Sequence, residues 1–185
     1  MAQLSRSSAF SLLHEHVKGD SLRKHCLAVA AAMESYASVF NEDADLYWIT
    51  GLLHDFDYEK YPNQEHHPFE GVKILKEKDY PDEIIQAILS HAEYSGAPRL
   101  SHLAKSLFAV DELSGLLMAL AKVRPNHFEG MNATSVEKAI KKKDFAAAIN
   151  RSDIARGIAE LGVKREEHFQ RIITALAARA KELGF

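Results

Sequence analysis

The sequence contains a single cysteine, Cys26, among its 185 residues. One cysteine cannot form an internal disulfide, and its isolation also excludes a cysteine-rich structural zinc site. The lack of a disulfide framework is typical of proteins from a reducing compartment. The first twenty residues are too polar and too interrupted for a signal peptide. These two features predict a cytoplasmic protein.

The chain also lacks an excess of basic residues. Its 23 lysines and arginines are outnumbered by 26 acidic residues, which gives a net charge of −3. Nucleic-acid-binding domains usually carry a strongly basic surface, so we expect no nucleic-acid polymer as a partner. No run approaches the ~18 apolar residues of a membrane-spanning helix, and we therefore expect no membrane partner.

Alternation of apolar and polar residues, which marks strands, never persists beyond a few positions. Apolar residues recur instead at steps of three and four, which is typical of amphipathic helices. With 46% hydrophobic residues, the chain can build a substantial core. The sequence therefore predicts an all-α fold and a single domain over residues 1–185. The predicted helices are 8–18, 21–40, 42–55, 68–78, 82–91, 100–123, 134–142, 150–161 and 164–183.

Residues with helix-capping side chains mark several of the predicted boundaries. Ser7 or Ser8 is predicted to cap the first helix, and Asn41 the third. Thr134 and Glu137 read as a capping box. Gly162 is expected to end the helix before it. Residues 144–149 are expected to form a further turn.

His54 and Asp55 directly follow an apolar run at residues 49–53. Neighbouring residues on a helix point about 100° apart, so both can face one point only in a crevice between helices. Metal ions are often held between packed helices. By itself, a His-Asp pair is more often a plain helix end with a solvated aspartate, and its meaning depends on the rest of the chain.

Ten histidines are present, and several stand among apolar residues rather than on charged faces. His25 lies beside the apolar stripe of the second helix, His67 precedes Pro68, and His91 ends the fifth helix. Asp111 lies among apolar residues of the sixth helix, where a carboxylate is costly unless it is paired or bound to a metal. Histidines and aspartates without companion cysteines suit Mn, Fe, Mg, Ni or Zn.

The order His, His-Asp, His, His, Asp resembles the HD-domain superfamily of metal-dependent phosphohydrolases. The likeness covers about residues 20–123. The segments LLHDFDYEKYP, HHPFEG and ILSHAEYSG are similar to a bacterial branch of HDIG-type hydrolases. The chain departs from the common HDIG spelling, because Phe56-Asp57 follows the His-Asp pair. The matching residues are His25, His54, Asp55, His67, His91 and Asp111.

This resemblance implies an orthogonal helical bundle with one or two divalent ions at its centre, in a core of about 20–123, followed by a helical extension of about 124–185. His25, His54, Asp55 and Asp111 would hold one ion. His67 and His91 would hold a second, with Asp55 as the bridge. The implied reaction is hydrolysis of a phosphate ester of a small molecule, which we expect to be a nucleotide. Water activated by the metal would attack beside Asp55 and His54, the expected catalytic pair.

Other residues are expected around this site. Arg99 is the first candidate for binding phosphate, although surface charge is the default role of every candidate cation; the others are Lys24, Lys60, Arg124 and Arg151. Outer groups that orient the metal ligands are expected at Asp57, Glu93 and His66, with a solvated role as the alternative. Tyr58, Tyr61 and Tyr94 are expected either to line a base or sugar pocket or to cover the core.

Two other functions fit the same residues. A non-catalytic regulatory module could keep the helical fold, although such domains usually lose ligands and this chain keeps every matched one. A di-iron oxygenase could use the same ligands, since open coordination positions suit oxygen chemistry. Neither substrate nor oligomeric state follows from the sequence, and a monomer and a homodimer are both compatible with it.

Overall fold

The computed structural model describes residues 4–185, which leaves the first three residues of the polar amino-terminal segment outside the described part. The described residues form ten α-helices and a short 3₁₀ helix, with no strand among them. The predicted all-α fold is confirmed. The helices are α1 (Arg6–His16), α2 (Asp20–Phe40), α3 (Ala44–Leu53), α4 (Phe69–Glu77), α5 (Asp82–His91), the 3₁₀ helix (Glu93–Ser95), α6 (His102–Val123), α7 (Ala133–Lys141), α8 (Arg151–Leu161), α9 (Arg165–Ala178) and α10 (Ala180–Leu183).

Three predicted caps were wrong. Helix α1 is capped by Ser5, whose hydroxyl accepts from the backbone of Ser8. Asn41 does not begin α3 but ends α2 in a left-handed conformation, and the carboxylate of Asp43 caps α3. Asn132, rather than Thr134, caps α7. In each case the residue that caps the helix is a near neighbour of the predicted one, and its side chain also favours capping. The sequence pattern therefore located the helix boundary but not the capping residue.

The predicted carboxy-terminal helix is interrupted. The continuous helix expected over 164–183 is divided into α9 and α10 at Arg179, which lies outside regular helical geometry. Gly184 then ends α10 with a positive φ of 89°. The predicted turn at 144–149 and the end of α8 at Gly162 are both confirmed.

Helices α2 and α6 form the centre of the molecule, and α2 packs against α3, α6 and α9. Helix α2 buries a small-residue segment that includes Ala28 to Ala32. Gly51 of α3 lies against this segment, because a Cβ placed there would be 2.8 Å from the Cα of Ala30. The glycine therefore permits a close approach of α3 to α2, which brings the residues after α3 next to His25.

A second close approach joins α8 to α6. A Cβ at Gly157 would lie 2.6 Å from the Cα of Ala109. Helix α8 therefore lies directly on the helix that carries Asp111, although 27 residues separate the two helices in the chain. One continuous core of buried apolar side chains includes residues from α1 through α10. Among the described residues, no helix combines the length and apolar character needed to cross a membrane.

Candidate metal centre

Six side chains from five consecutive segments converge on one point in the core. His25 comes from α2, His91 from the last position of α5, and Asp111 from the middle of α6. His54 and Asp55 occupy the turn that follows α3, and His67 lies just before α4. The six predicted ligands are therefore brought together by the fold.

The first group in this cluster consists of His25, His54, Asp55 and Asp111. The Nε2 atom of His25 is 3.1 Å from Oδ1 of Asp111 and 3.8 Å from Oδ2 of Asp55. The Nε2 atom of His54 lies 3.4 Å and 3.3 Å from the same two oxygens. Two imidazole nitrogens and two carboxylate oxygens thus surround a common space.

The second group shares Asp55 with the first. The other oxygen of Asp55, Oδ1, is 3.3 Å from Nε2 of His67 and 3.3 Å from Nε2 of His91. Those two nitrogens are themselves 3.3 Å apart. The ligand atoms of His25, His54 and Asp55 lie within 4.8 Å of one another, as do those of Asp55, His67 and His91. The Asp55 carboxylate is therefore placed between two potential metal positions.

Hydrogen bonds at Nδ1 define the tautomers of three of these histidines. His54 donates from Nδ1 to the carbonyl of Gly51 at 2.8 Å, and His91 donates to the carbonyl of Ile88 at 2.5 Å. His67 places its Nδ1 2.7 Å from Oδ1 of Asp57. Because a neutral imidazole carries one proton, each Nε2 is left with a lone pair directed into the cluster.

These lone pairs fit a cation. The Nε2 atom of His54 is buried and has no hydrogen-bond partner, while two carboxylate oxygens stand close to it. A buried polar atom without a partner is costly, and a metal ion satisfies it. The donor set of imidazole nitrogens and carboxylate oxygens suits a divalent first-row metal. The residues present therefore fit the ion that the resemblance implies.

Without a metal, protons would have to balance the same charges. Burial lowers the pKa of His54, but the carboxylates of Asp55 and Asp111 outweigh this effect and raise it well above its ordinary value. Burial also opposes the charge on His67, yet Asp55 and Asp57 raise its pKa to about 9. The site thus stabilises positive charge at the imidazole nitrogens, which is the requirement for a metal centre.

Asp57 orients His67 in the manner expected of an outer group. Its Oδ1 accepts from His67, and its Oδ2 accepts the backbone N–H of Gly71 at 2.7 Å. The side chain is almost fully buried, so both bonds are protected from water. A carboxylate behind a metal-binding histidine holds the ring and raises its basicity.

The other two expected outer groups do not bond to the histidines of the cluster. His66 places its Nδ1 2.8 Å from the side-chain oxygen of Asn63, outside the cluster. Glu93 pairs with Arg99 at 2.5 Å and with Arg156 at 3.0 Å, rather than with a histidine of the cluster. Both positions were predicted from nearness in sequence, which does not determine where a side chain in a turn points.

None of the predicted phosphate-binding cations reaches the cluster. Arg99 is paired with Glu160 and Glu93 and lies 3.7 Å over the ring of Phe108. Arg151 donates to backbone carbonyls of the turn before α8, including that of Ala146 at 2.7 Å. Their guanidinium groups already bond to other groups of the protein, so neither arginine is free to bind phosphate at the cluster.

The remaining predicted cations also serve other contacts. Lys24 pairs with Asp20 at 2.7 Å, and Lys60 lies over the ring of Tyr61. Arg124 donates to two carbonyls of the turn after α6. Tyr61 itself stacks on His66 rather than lining the site. Tyr58, in contrast, contacts His67 edge-on, and it lines the cleft together with Tyr94.

The cluster lies in a cleft of about 770 Å³. Several residues that line it were not predicted from the sequence. Four of them come from the segment of α8 and the turn before it, and the others include a carboxylate and a ring of α6. Asp153 and Arg156 are three residues apart in α8, a spacing typical of a surface ion pair rather than of a site. These residues are Glu112, Phe108, Ile149, Asn150, Asp153 and Arg156.

Comparisons with known proteins bear on the identity of this cluster. No curated protein and no solved structure matches the chain. A family model described as "HD domain" matches residues 22–116. The matched segment is more than half of the chain and contains all six residues of the cluster. The chain therefore belongs to the HD-domain family.

Proposed function

We propose that this protein is a metal-dependent phosphohydrolase that cleaves a phosphate ester of a small molecule, with a nucleotide as the expected substrate type. The observation that carries the proposal is the position of Asp55. One of its oxygens lies 3.3 Å from His54, and the other lies 3.3 Å from both His67 and His91. A carboxylate shared by two histidine groups is the arrangement expected for a pair of metal ions.

The residues assigned to metal binding are the six of the cluster. His25, His54, Asp55 and Asp111 would hold one ion, and Asp55, His67 and His91 the other, if two are bound. A divalent cation at these ligands lowers the pKa of water and stabilises the charge that develops on phosphoryl oxygens. Mn, Fe, Ni, Zn and Mg are all compatible with the donor set.

The chain's own residues prepare this site in two ways. The bonds from His54 to Gly51 and from His67 to Asp57 hold the rings in place before any ligand binds. Such preorganisation avoids reorganisation during the reaction. The site also opens into a cleft rather than a closed core, so a small ester can reach Asp55 and His54.

Membership of the HDIG-type branch and a cytoplasmic location also belong to this proposal. The protein is proposed to be a monomer or a homodimer. We also propose that residues 1–185 act as one unit with a metal-binding core at about 20–123 and an extension at about 124–185. Its support is the continuous hydrophobic core and the contact of α8 with α6.

Elemental analysis of protein purified without added metal or chelator is the first test. We expect one or two equivalents of a divalent metal, and hydrolysis of p-nitrophenyl phosphate by the loaded protein. Asp55→Asn should remove both metal and activity while circular dichroism shows unchanged helix. An Asp45→Asn variant is the matched control, because Asp45 pairs with Arg6 at the surface. Full activity of the Asp55 variant would contradict the assignment.

The same preparation tests the two alternatives. A non-catalytic module would bind metal or none and hydrolyse no phosphate ester in a broad panel. An oxygenase would bind iron and consume oxygen with an organic substrate. Hydrolysis without oxygen uptake would support the phosphohydrolase.

A further inference from the structure

The cleft continues past the metal ligands along four charged side chains, Glu93, Glu112, Asp153 and Arg156, which we call the charged wall. Glu93 belongs to the 3₁₀ helix and Glu112 follows Asp111 in α6. Asp153 and Arg156 belong to α8, outside residues 22–116 that match the family model. This part of the cleft is therefore partly built by the extension of this chain rather than by the family core.

The charged wall is internally connected. Arg156 donates to Glu93 at 3.0 Å and to Asp153 at 2.8 Å, and its guanidinium lies 4.9 Å over the ring of Phe108. Asn150 donates its side-chain amide to Asp153 at 2.7 Å and its backbone N–H to Glu112 at 3.0 Å. These bonds join α6, the 3₁₀ helix and α8, so the wall is a connected surface, in which Glu93 and Arg156 are partly open to solvent.

The charges of the wall favour one phosphate group and no more. Three carboxylates and one guanidinium line this part of the cleft, and that guanidinium already pairs with two of the carboxylates. Arg99 pairs with Glu93 but does not line the cleft. Phosphate oxygens need cations or N–H donors. The other cations considered above are engaged elsewhere in the described structure. A second or third phosphate would therefore meet carboxylates, and like charges at close range oppose binding.

The same carboxylates favour a different partner. Ionised carboxylates only accept hydrogen bonds, so they pair with hydroxyl or amine groups that donate. A carboxylate offers about four acceptor positions, so Glu93 and Asp153, which already accept from Arg156, can accept from a ligand as well. The cleft volume of about 770 Å³ lies in the range of small-molecule sites.

We infer that the charged wall selects phosphomonoesters with a single phosphate group and an organic part rich in hydrogen-bond donors, such as a sugar phosphate or a nucleoside monophosphate. This inference rests on the proposed function, because it places the ester phosphate at the metal cluster. It narrows the expected nucleotide to a monophosphate and excludes nucleoside triphosphates as preferred substrates.

Two substrate series test the inference: one varies the number of phosphate groups, and the other varies the hydroxyl donors of the organic part. Hydrolysis rates and calorimetric binding to the metal-loaded protein are measured separately for each series. AMP, ADP and ATP differ only in phosphate number, and we expect AMP to be favoured over ATP by about tenfold or more in both readouts. Glucose 6-phosphate and hexyl phosphate share a carbon number but differ in hydroxyl donors, and we expect a similar preference for the sugar phosphate. Equal or reversed preference in either series overturns the corresponding half of the inference.

A substitution in the charged wall tests whether the wall causes the preference for AMP over ATP. Asp153→Asn removes one negative charge and keeps the side-chain size, so the AMP-to-ATP ratio should fall several-fold. Glu137→Gln is the matched control, since Glu137 pairs with Arg165 outside the cleft, and it should leave the ratio unchanged. An unaltered ratio in Asp153→Asn means that the wall does not set the preference.

The outcomes distinguish a failure of this inference from a failure of the proposed function. Hydrolysis of p-nitrophenyl phosphate together with a preference for ATP would preserve the phosphohydrolase and overturn the inference. If no ester is hydrolysed, the proposed function fails, and calorimetry still decides whether the cleft prefers a monophosphate. Absence of both hydrolysis and binding would overturn both.

Discussion

At the scale of single residues, Asp57 illustrates how much of this site lies behind the ligands. The carboxylate touches no potential metal position, yet it holds Nδ1 of His67 and the backbone N–H of Gly71 at 2.7 Å each. It stands where the common HDIG spelling has glycine, and it joins the turn after α3 to the start of α4. The departure from the family spelling thus acquires a physical role in this chain.

We predict that Asp57→Asn weakens metal binding without removing the ligands. An amide cannot accept at both positions with the strength of a carboxylate, so His67 should lose basicity and orientation. Removal of such an outer group typically costs 10–100-fold in metal affinity or activity. Metal affinity measured by chelator competition checks this. His66→Gln is the control, since His66 adjoins His67 in sequence but bonds Asn63, and equal weakening in both variants would refute the role of Asp57.

His168 is a buried titratable group away from the metal ligands. Its Nδ1 accepts from the hydroxyl of Tyr36 and its Nε2 donates to the carbonyl of Ala109. Burial, together with the positive charges of Arg171 and Arg165, lowers its pKa from 6.5 to about 4. The unfolded chain therefore binds a proton more readily than the folded one between these values.

We predict that His168 makes the protein less stable as pH falls from about 6.5 towards 4. The free energy of unfolding should drop by about 2 kcal/mol between pH 7.5 and pH 5 through this residue alone, by proton linkage. Urea titrations of the native protein and of His168→Gln at both pH values check this. The glutamine can still donate to Ala109, and the variant should lack this part of the decrease; an identical pH dependence would contradict the prediction.

At the scale of helices, two glycines determine how the site is assembled. Gly51 allows α3 to approach α2, while Gly157 allows α8 to approach α6. The first contact places His54 and Asp55 beside His25. The second places the charged wall beside Asp111. The metal cluster and the wall therefore depend on different helix contacts.

We predict that alanine at these two glycines separates the two parts of the site. Gly51→Ala should lower both stability and metal affinity, because its Cβ meets backbone atoms of Ala30. Gly157→Ala should keep its metal but raise KM. Overpacking of this kind costs about 1–3 kcal/mol, measurable by urea unfolding. Gly19→Ala is a milder control, since the new Cβ meets the side chain of Glu59 and no backbone atom. Retained metal affinity in Gly51→Ala would contradict this division.

The helices themselves were largely predictable from apolar spacing, and the failures are local. Asn41 and Asp43 both have capping side chains two residues apart, and the pattern alone could not tell the end of α2 from the start of α3. The interruption at Arg179 carries no proline or glycine to announce it. Apolar periodicity reports which face is buried, whereas these details depend on how two ends meet in space.

At the scale of the whole molecule, the two halves of the site differ in how far the sequence predicted them. The six cluster residues were predicted through an ordered pattern spread along the chain, and the fold brings them together. Apart from Glu93, the residues of the charged wall were not predicted, and Arg156 was not among the candidate cations. Only the packing of α8 on α6 places Arg156 in the cleft. A contact between distant helices leaves no local signal.

The buried cluster also predicts how the whole molecule responds to metal. Helices α2, α5 and α6 and the turns at His54–Asp55 and His67 all contribute side chains to the cluster, so an ion bound there would connect most of the core at once. A metal at one hundred times its Kd stabilises the folded state by about 2.7 kcal/mol if it does not bind the unfolded chain. For a chain of this size, that corresponds to a rise of about 5–10 °C in Tm.

We therefore expect chelation to lower Tm by that amount and metal to restore it, as measured by differential scanning calorimetry. Asp55→Asn should unfold at the same temperature with and without metal, because its bridge is gone. A chelator that leaves the native Tm unchanged would mean that the cluster is held by its own protons and hydrogen bonds.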